Sequence, residues 1–262
     1  MAGLEEDIRR IFAEAEDWQR LQAQDADATL KVYLDLKSPH AYLAVRPSLE
    51  VARDYRVHVE FLPFTLSYEA FGITTSVEPD MQRRPPSAAA DRKARMYYTA
   101  AREYAAMQRL PFRTPHRLLD STQAHRAWVF AKRQGLEVPF IMSVYLHGWG
   151  SGWREYELES DAQLTQTLAD IGADLGGLGS YLAEGGAADE ALAQYTEHAE
   201  QTGYVGVPHF VFPDERLGRE VGIFGREHLT FIRERFAAQG LARRADVRAE
   251  FTHAWRGPAD HA

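Results

Sequence analysis

The sequence predicts an α/β fold in which a block of helices interrupts one sheet. Three observations carry this. A strand-helix-strand pattern occupies residues 30 to 62, strand alternation disappears between about 67 and 202 while helical spacing takes over, and two strands and a helix follow from residue 209. The expected order is β-α-β, helical insert, β-β-α, with the insert after the second strand.

Residues 1–29 form an extension. Leu4, Ile8, Ile11, Phe12 and Ala15 share one face at helical spacing, so an amphipathic helix is expected there. In "TLKVYLDL", Leu30, Val32, Leu34 and Leu36 alternate with other residues, which predicts a first strand over 30–36. Ser38 suits a helix N-cap and Pro39 the first helical position, where a missing N–H does no harm. Ala41, Leu43, Ala44 and Val45 continue a helix over 38–54 that Pro47 should bend or restart. "RVHVEFLPF" alternates Val57, Val59 and Phe61 as a second strand ending before Pro63. A β-α-β unit of this kind has parallel strands and a right-handed crossover.

Residues 67–202 read as an inserted α-helical domain of five or so helices. One ends near Leu110, and "STQAHRAWVFAKRQ", "PFIMSVYLHGWG", "DAQLTQTLADIG" and "ADEALAQYTEHAEQTG" supply the others, stopped by glycine. Tyr97, Tyr98, Tyr104 and Trp128 fit helical core, whereas Trp149 and Trp153, beside glycines, suit a pocket wall. Strands return at "HFVFP" (209–213) and "REVGIF", and an amphipathic helix closes the second half, so that 30–66 and 203–240 form one domain. Residues 241–262 are a C-terminal tail, and a docking helix is the other reading.

Composition narrows the function. A net charge of −8 and a pI near 5.7 argue against a nucleic-acid surface. No apolar run suits a membrane span, and the N-terminus lacks a secretory or transit layout, so a cytoplasmic location is the default expectation. The ten histidines show no paired or HExxH spacing, and no metal site is expected. Ser38 and His40, two residues apart at a helix start, point away from each other, and no G-x-S-x-G elbow is present, which argues against a serine hydrolase. Cysteine is absent altogether. That excludes disulfide oxidoreductase chemistry and cysteine nucleophiles, so any sulfur chemistry must arrive with a ligand.

The element order is that of the thioredoxin topology with a helical insert, and three motifs sharpen it. "SPHAYLA", "GVPHFVF" and "IFGREHL" resemble, in order, the SPYSYLA-type segment, the GVPTF-type turn and the FWGQDRL-type helix start of 2-hydroxychromene-2-carboxylate isomerases. These belong with the kappa-class glutathione transferases in the DsbA-like group. "YLHGWGSGW" is a weaker match, and the resemblance spans roughly residues 30 to 238.

The resemblance implies a cofactor, glutathione or another low-molecular-weight thiol, with Ser38 as the catalytic residue beside its sulfur. A free thiol has a pKa of about 8.5, so the site must stabilise the thiolate. A hydroxyl and helix N–H donors do this, and a helix dipole of roughly 0.3 to 2 kcal/mol adds up to about one and a half pKa units. The resemblance further implies a cis Pro208, with Val207 pairing to the thiol's cysteinyl backbone, and Gly225, Arg226 and Glu227 at the γ-glutamyl end. It implies an aromatic, unsaturated carboxylate substrate, with thiolate addition, rotation and elimination. Lys37, His40 and Trp149 are the candidate substrate contacts, and Arg83, Arg84 and Arg126 are further cations. A homodimer is also implied. Three positions depart from the pattern: Arg226–Glu227 replaces a small polar residue followed by aspartate, Asp120 stands where asparagine is usual, and His40 replaces an aromatic or small residue. Two alternatives stay open: a kappa-like transferase conjugating electrophiles, and a non-catalytic thioredoxin-fold binding protein.

Overall fold

The computed structural model describes residues 25–68 and 88–250, with residue 13 described alone. The expected N-terminal helix, apart from a helical Ala13, and the candidate cations Arg83 and Arg84 lie outside the described residues.

Four strands make one sheet: β1 (Ala28–Leu34), β2 (Val57–Pro63), β3 (His209–Asp214) and β4 (Arg219–Phe224), in the order β2-β1-β3-β4. β1 runs parallel to β2 from Ala28↔Val57 to Leu34↔Pro63, and antiparallel to β3, with Lys31 opposite Val211 and Tyr33 opposite His209. β3 and β4 form an antiparallel hairpin. Between β1 and β2 lie a single turn, α1 (Pro39–Tyr42), and α2 (Val45–Asp54). The insert contributes α3 (Ala88–Met107), α4 (Thr122–Lys132), α5 (Glu137–Tyr145) with a π-helical turn at Leu146–Ser151, α6 (Asp161–Asp170), α7 (Leu178–Leu182) and α8 (Ala187–Gln201). A 3₁₀ turn (Arg226–His228) leads into α9 (Leu229–Ala238). The element order is the expected one, with an extra short helix in the insert.

Strand parity sorts the two faces. Leu30, Val32, Val59, Phe61, Phe210 and Phe212 are fully buried, and Phe212 meets Phe231 and Phe236 of α9 edge-on. Each large apolar side chain removed from water contributes about 1.5–3 kcal/mol, so this layer anchors the sheet. The opposite face carries Lys31 and Tyr33 toward His198 of α8, and Glu60 toward Lys132 of α4 (Nζ–Oε1 3.1 Å). The insert therefore seals the second face with polar clamps as well as apolar packing.

Boundaries shift for identifiable reasons. β1 ends at Leu34 rather than at residue 36, because Asp35 and Leu36 leave the ladder: the Asp35 carbonyl accepts from Ser38 N–H, and Leu36 N–H donates to the His125 ring. β2 runs on to Pro63, tolerated at the end of an edge strand, and Phe64 N–H resumes the bonding to Leu34. Residues 241–244 are a docked segment. Arg56 N–H donates to the Leu241 carbonyl, Tyr55 bridges to Ala242, and Arg243 Nε reaches the carbonyls of Ala52 and Tyr55.

Candidate active site

At the exit of β1 the chain turns through Asp35–Ser38 and enters α1. Ser38 is the N-cap, extended at φ −95 and ψ 122, and its Oγ accepts the Ala41 N–H at 3.3 Å. That bond uses a lone pair, while no described group accepts the hydroxyl proton. Ser38 is 7% exposed. It is a buried donor at a helix start.

The helix expected over 38–54 is broken after Tyr42, and the cause lies one turn ahead. Pro47 has no N–H for the carbonyl four residues back, which belongs to Leu43. The freed Leu43 oxygen is taken instead by Gln108 Nε2 (2.9 Å) and by Arg226 (3.4 Å). The short α1 weakens the dipole expected of a longer helix, which leaves more of any charge stabilisation to individual donors. The same kink ties the third motif to the first.

The second motif arrives through the sheet. Since Tyr33 pairs with His209 in antiparallel register, the chain preceding β3 runs back alongside the end of β1, bringing Pro208 and Val207 to the Asp35–Ser38 loop. The Val207–Pro208 bond is cis. Gly225 N–H holds the Pro208 carbonyl at 3.0 Å, whereas no described residue pairs with the Val207 N–H or C=O. Gly206 lies against the Phe224 ring, where a Cβ would meet Cε2 at 2.7 Å. Gly225 has φ +103, and a Cβ there would meet the Glu227 carboxylate at 2.6 Å. The two residues after Gly225 behave differently. Glu227 is exposed, but Arg226 is 5% exposed, with its guanidinium over the Tyr104 ring at 4.2 Å, and burial lowers its pKa to about 10. His40 is half-buried against the edge of Tyr97. Burial chiefly, then Arg226, holds its pKa below the usual value against the opposing pull of Glu227.

Beneath Ser38 lies a polar network that sequence inspection missed. Asp35 is fully buried; its Oδ1 accepts from Lys37 N–H (3.0 Å) and its Oδ2 from Leu66 N–H (2.7 Å). Its carbonyl also accepts from Tyr145 Oη at 3.2 Å. His125, fully buried, accepts the Leu36 N–H at Nε2 (3.3 Å), so Nδ1 carries the proton and donates to Thr65 Oγ1 (2.7 Å). Burial pushes its pKa down to about 4. The sequence did carry a signal: His125 shares the buried face of α4 with Ala124, Trp128 and Ala131, the setting of a neutral, satisfied histidine.

Several expected substrate contacts take other positions. Lys37, treated above as a cation for a carboxylate, is turned inward: its Nζ lies 3.4 Å from Asp35 Oδ2, donates to the Leu66 carbonyl at 2.8 Å and sits over Tyr68. Trp149 and Trp153 are core, not pocket wall. Trp149 is 0% exposed, stacks on Phe112 and donates Nε1–H to the Leu36 carbonyl, so it buttresses the site loop from below. Trp128 is core, but Tyr97 is 45% exposed. Asp120 accepts from the Thr122 N–H and hydroxyl just ahead of α4, and Arg126 is paired with Asp189. Among the described residues no cluster of three or more His, Cys, Asp or Glu could hold a metal, and no helix is long and apolar enough to cross a membrane.

The model of the DSBA-like thioredoxin domain matches residues 29–237. The chain belongs to this family. Several solved structures share the fold of this DSBA-like thioredoxin domain at low sequence identity. A 2-hydroxychromene-2-carboxylate isomerase superposes at TM-score 0.61 and 19% identity, over 81% of this chain and 94% of its own. A probable DsbA oxidoreductase from Streptomyces coelicolor gives 0.62 and 19%, over 84% and 93%. The cytosolic disulfide reductase DsbM from Pseudomonas aeruginosa, solved with GSH, gives 0.52 and 17%, over 81% and 97%. No curated protein sequence matches the chain. Two of these neighbours are named for dithiol or disulfide chemistry, which a DSBA-like domain without cysteine cannot perform with its own side chains.

Proposed function

We propose that this chain is a glutathione-dependent isomerase of the 2-hydroxychromene-2-carboxylate isomerase type, acting on an aromatic, unsaturated carboxylate. The observation that supports it most is Ser38. In a chain without cysteine, a hydroxyl with an uncommitted proton occupies the N-cap at the end of the central strand β1, next to a turn whose Val207 backbone groups no described residue pairs.

The residues fit such a thiol at two of its three parts. Val207 offers one N–H and one C=O to an extended backbone, as an added strand would use them. Ser38 offers its O–H to sulfur. At the γ-glutamyl end only Glu227 is exposed, and its carboxylate can accept from an ammonium, while Arg226 is committed to Leu43 and Tyr104. Any low-molecular-weight thiol with a cysteinyl peptide backbone meets the first two requirements. When bound, the thiol supplies a nucleophile able to add reversibly to a conjugated double bond. Ser38 stabilises negative charge on sulfur and Val207 fixes its orientation, while His40, kept neutral near pH 7 by burial, contributes no charge of its own. A substrate carboxylate finds its cation elsewhere, because Asp35 and the Leu66 carbonyl already hold Lys37.

Calorimetric titration with reduced glutathione and with an S-alkyl analogue tests this. Binding of both, with the free thiol bound more tightly near neutral pH, is the expected result. Absence of heat with either overturns the reading and leaves a non-catalytic binding protein. Product analysis on an unsaturated aromatic carboxylate then separates isomerisation from conjugation.

A further inference from the structure

Lys37 and Asp35 stand directly before Ser38, and neither is a free surface charge. Both side chains are nearly sealed from solvent, at 5% and 0% exposure, with Nζ 3.4 Å from Oδ2. Each is also bonded to backbone: Asp35 holds the N–H groups of Lys37 and Leu66, and Lys37 holds the Leu66 carbonyl. The loop before Ser38 is thus pinned to the exit of β2 by a charge pair whose members cannot move independently. Groups packed around it are His125, Tyr145, Tyr68, Tyr204 and, more distantly, Asp120. The imidazole and the phenols are neutral at pH 7, which leaves the pair and Asp120 as the charges beneath the helix start. Beyond it, Arg226 and Glu227 flank His40.

Building on the proposed thiol chemistry, we infer that Asp35 and Lys37 are positioning residues that act on the thiol through Ser38, a buried pair whose mutual neutralisation sets the potential at the start of α1. Lys37 is not a substrate ligand in this account. Neutralising either partner alone exposes the other's full charge to the site. A unit charge about 10 Å away at an effective dielectric of ~20 shifts a pKa by roughly one unit. Asp35→Asn therefore leaves an unpaired ammonium and favours a thiolate. Lys37→Met leaves an unpaired carboxylate and disfavours one. A loosened loop, by contrast, weakens Ser38 in both variants and moves the thiol in one direction only.

Two measurements on the full chain test this. The pKa of bound glutathione, read from ultraviolet thiolate absorbance against pH, is expected to fall by roughly one unit in Asp35→Asn, to rise by about as much in Lys37→Met, and to return toward the parent in the double variant. The pKa of His40, read by NMR without any thiol, moves in the same two directions, since a positive potential also disfavours imidazolium. Shifts of both singles in one direction, or none in either probe, overturn the inference. If glutathione does not bind the parent chain, the functional reading fails, while the His40 titration still decides whether the pair sets the potential. Asp35→Asn keeps one acceptor oxygen and so loses one of the two backbone bonds. Should it not fold, the step from Lys37→Met to the double variant decides, and the His40 pKa must fall across it.

Discussion

Ser38 carries two burdens, helix capping and the stabilisation proposed for sulfur, and two substitutions separate them. Replacing an N-cap serine by alanine costs about 1 kcal/mol, because the Ala41 N–H loses its acceptor, whereas glycine costs only a few tenths. Backbone strain does not intervene, since φ −95 and ψ 122 suit any residue. For a chain of this size about 1 kcal/mol lowers Tm by ~2–4 °C. Ser38→Ala is therefore expected to melt 2 to 4 degrees below the parent, to the same order, and Ser38→Gly within about a degree of it. Both variants remove the same hydroxyl. A hydrogen bond to a charged group contributes about 1.5–3 kcal/mol, so the pKa of the bound thiol should rise by roughly one to two units in both. Thermal melts and pH titrations of thiolate absorbance read the two quantities separately. If Ser38→Gly kept the parent's thiol pKa while Ser38→Ala lost it, acidification would follow the cap and not the hydroxyl, and the proposed role of Ser38 would be wrong.

Other expectations concern the surroundings of the site. His125 and His209 are both held near pKa 4 by burial, with the neighbouring His198 adding to the effect at His209, below the unfolded value of about 6.5. Unfolding lets them take up protons, so their contribution is complete above pH ~6.5 and is lost as pH falls toward ~4, on the order of 2 kcal/mol each by pH ~5. Denaturant titrations at neutral pH and near pH 5 check this, and a flat profile contradicts it. Gly222→Ala should lower stability by about 1–3 kcal/mol, because its Cβ would stand 2.0 Å from the Thr202 carbonyl oxygen and 2.7 Å from the His209 ring; an unchanged melting curve would show that these backbones part freely. For Arg226 and Glu227 the contrast lies in binding. Glu227→Gln should weaken glutathione several-fold by calorimetry, whereas Arg226→Met, which alters a buried guanidinium, should change stability more than affinity. The reverse order would place Arg226 at the ligand.

The sheet and its insert were readable in the sequence because they rest on local periodicity. Leu30, Val32 and Leu34 alternate, the insert does not, and the second half closes with a helix. What escaped depends on partners distant in sequence. The break after Tyr42 needs Pro47 to withhold a proton from Leu43, yet it persists because Gln108 and Arg226, 65 and 183 residues away, satisfy the freed carbonyl. A reader of residues 38–54 alone sees the proline and places the bend at it.

The same distinction explains the three side chains whose placement differs from expectation. Lys37 reads as a cation open to a substrate until Leu66 is known to bring a backbone N–H to Asp35 and a carbonyl to the lysine. Trp149 and Trp153 suggested a pocket because glycines surround them, but the glycines answer a different need: a Cβ at Gly148 would stand 2.2 Å from Trp153 Cη2, so the residue is small to let an indole lie on the backbone. Glycine next to tryptophan signals a close approach of ring and main chain, and only burial decides whether the ring's other face meets a ligand or the core. Here it meets Trp149, edge to face, and through Trp149 Nε1 the packing reaches the Leu36 carbonyl. The aromatic cluster thus supports the loop that carries Ser38, and a cavity opened beneath Trp149 by truncating Trp153 would act on the site by releasing that loop, without any contact to substrate.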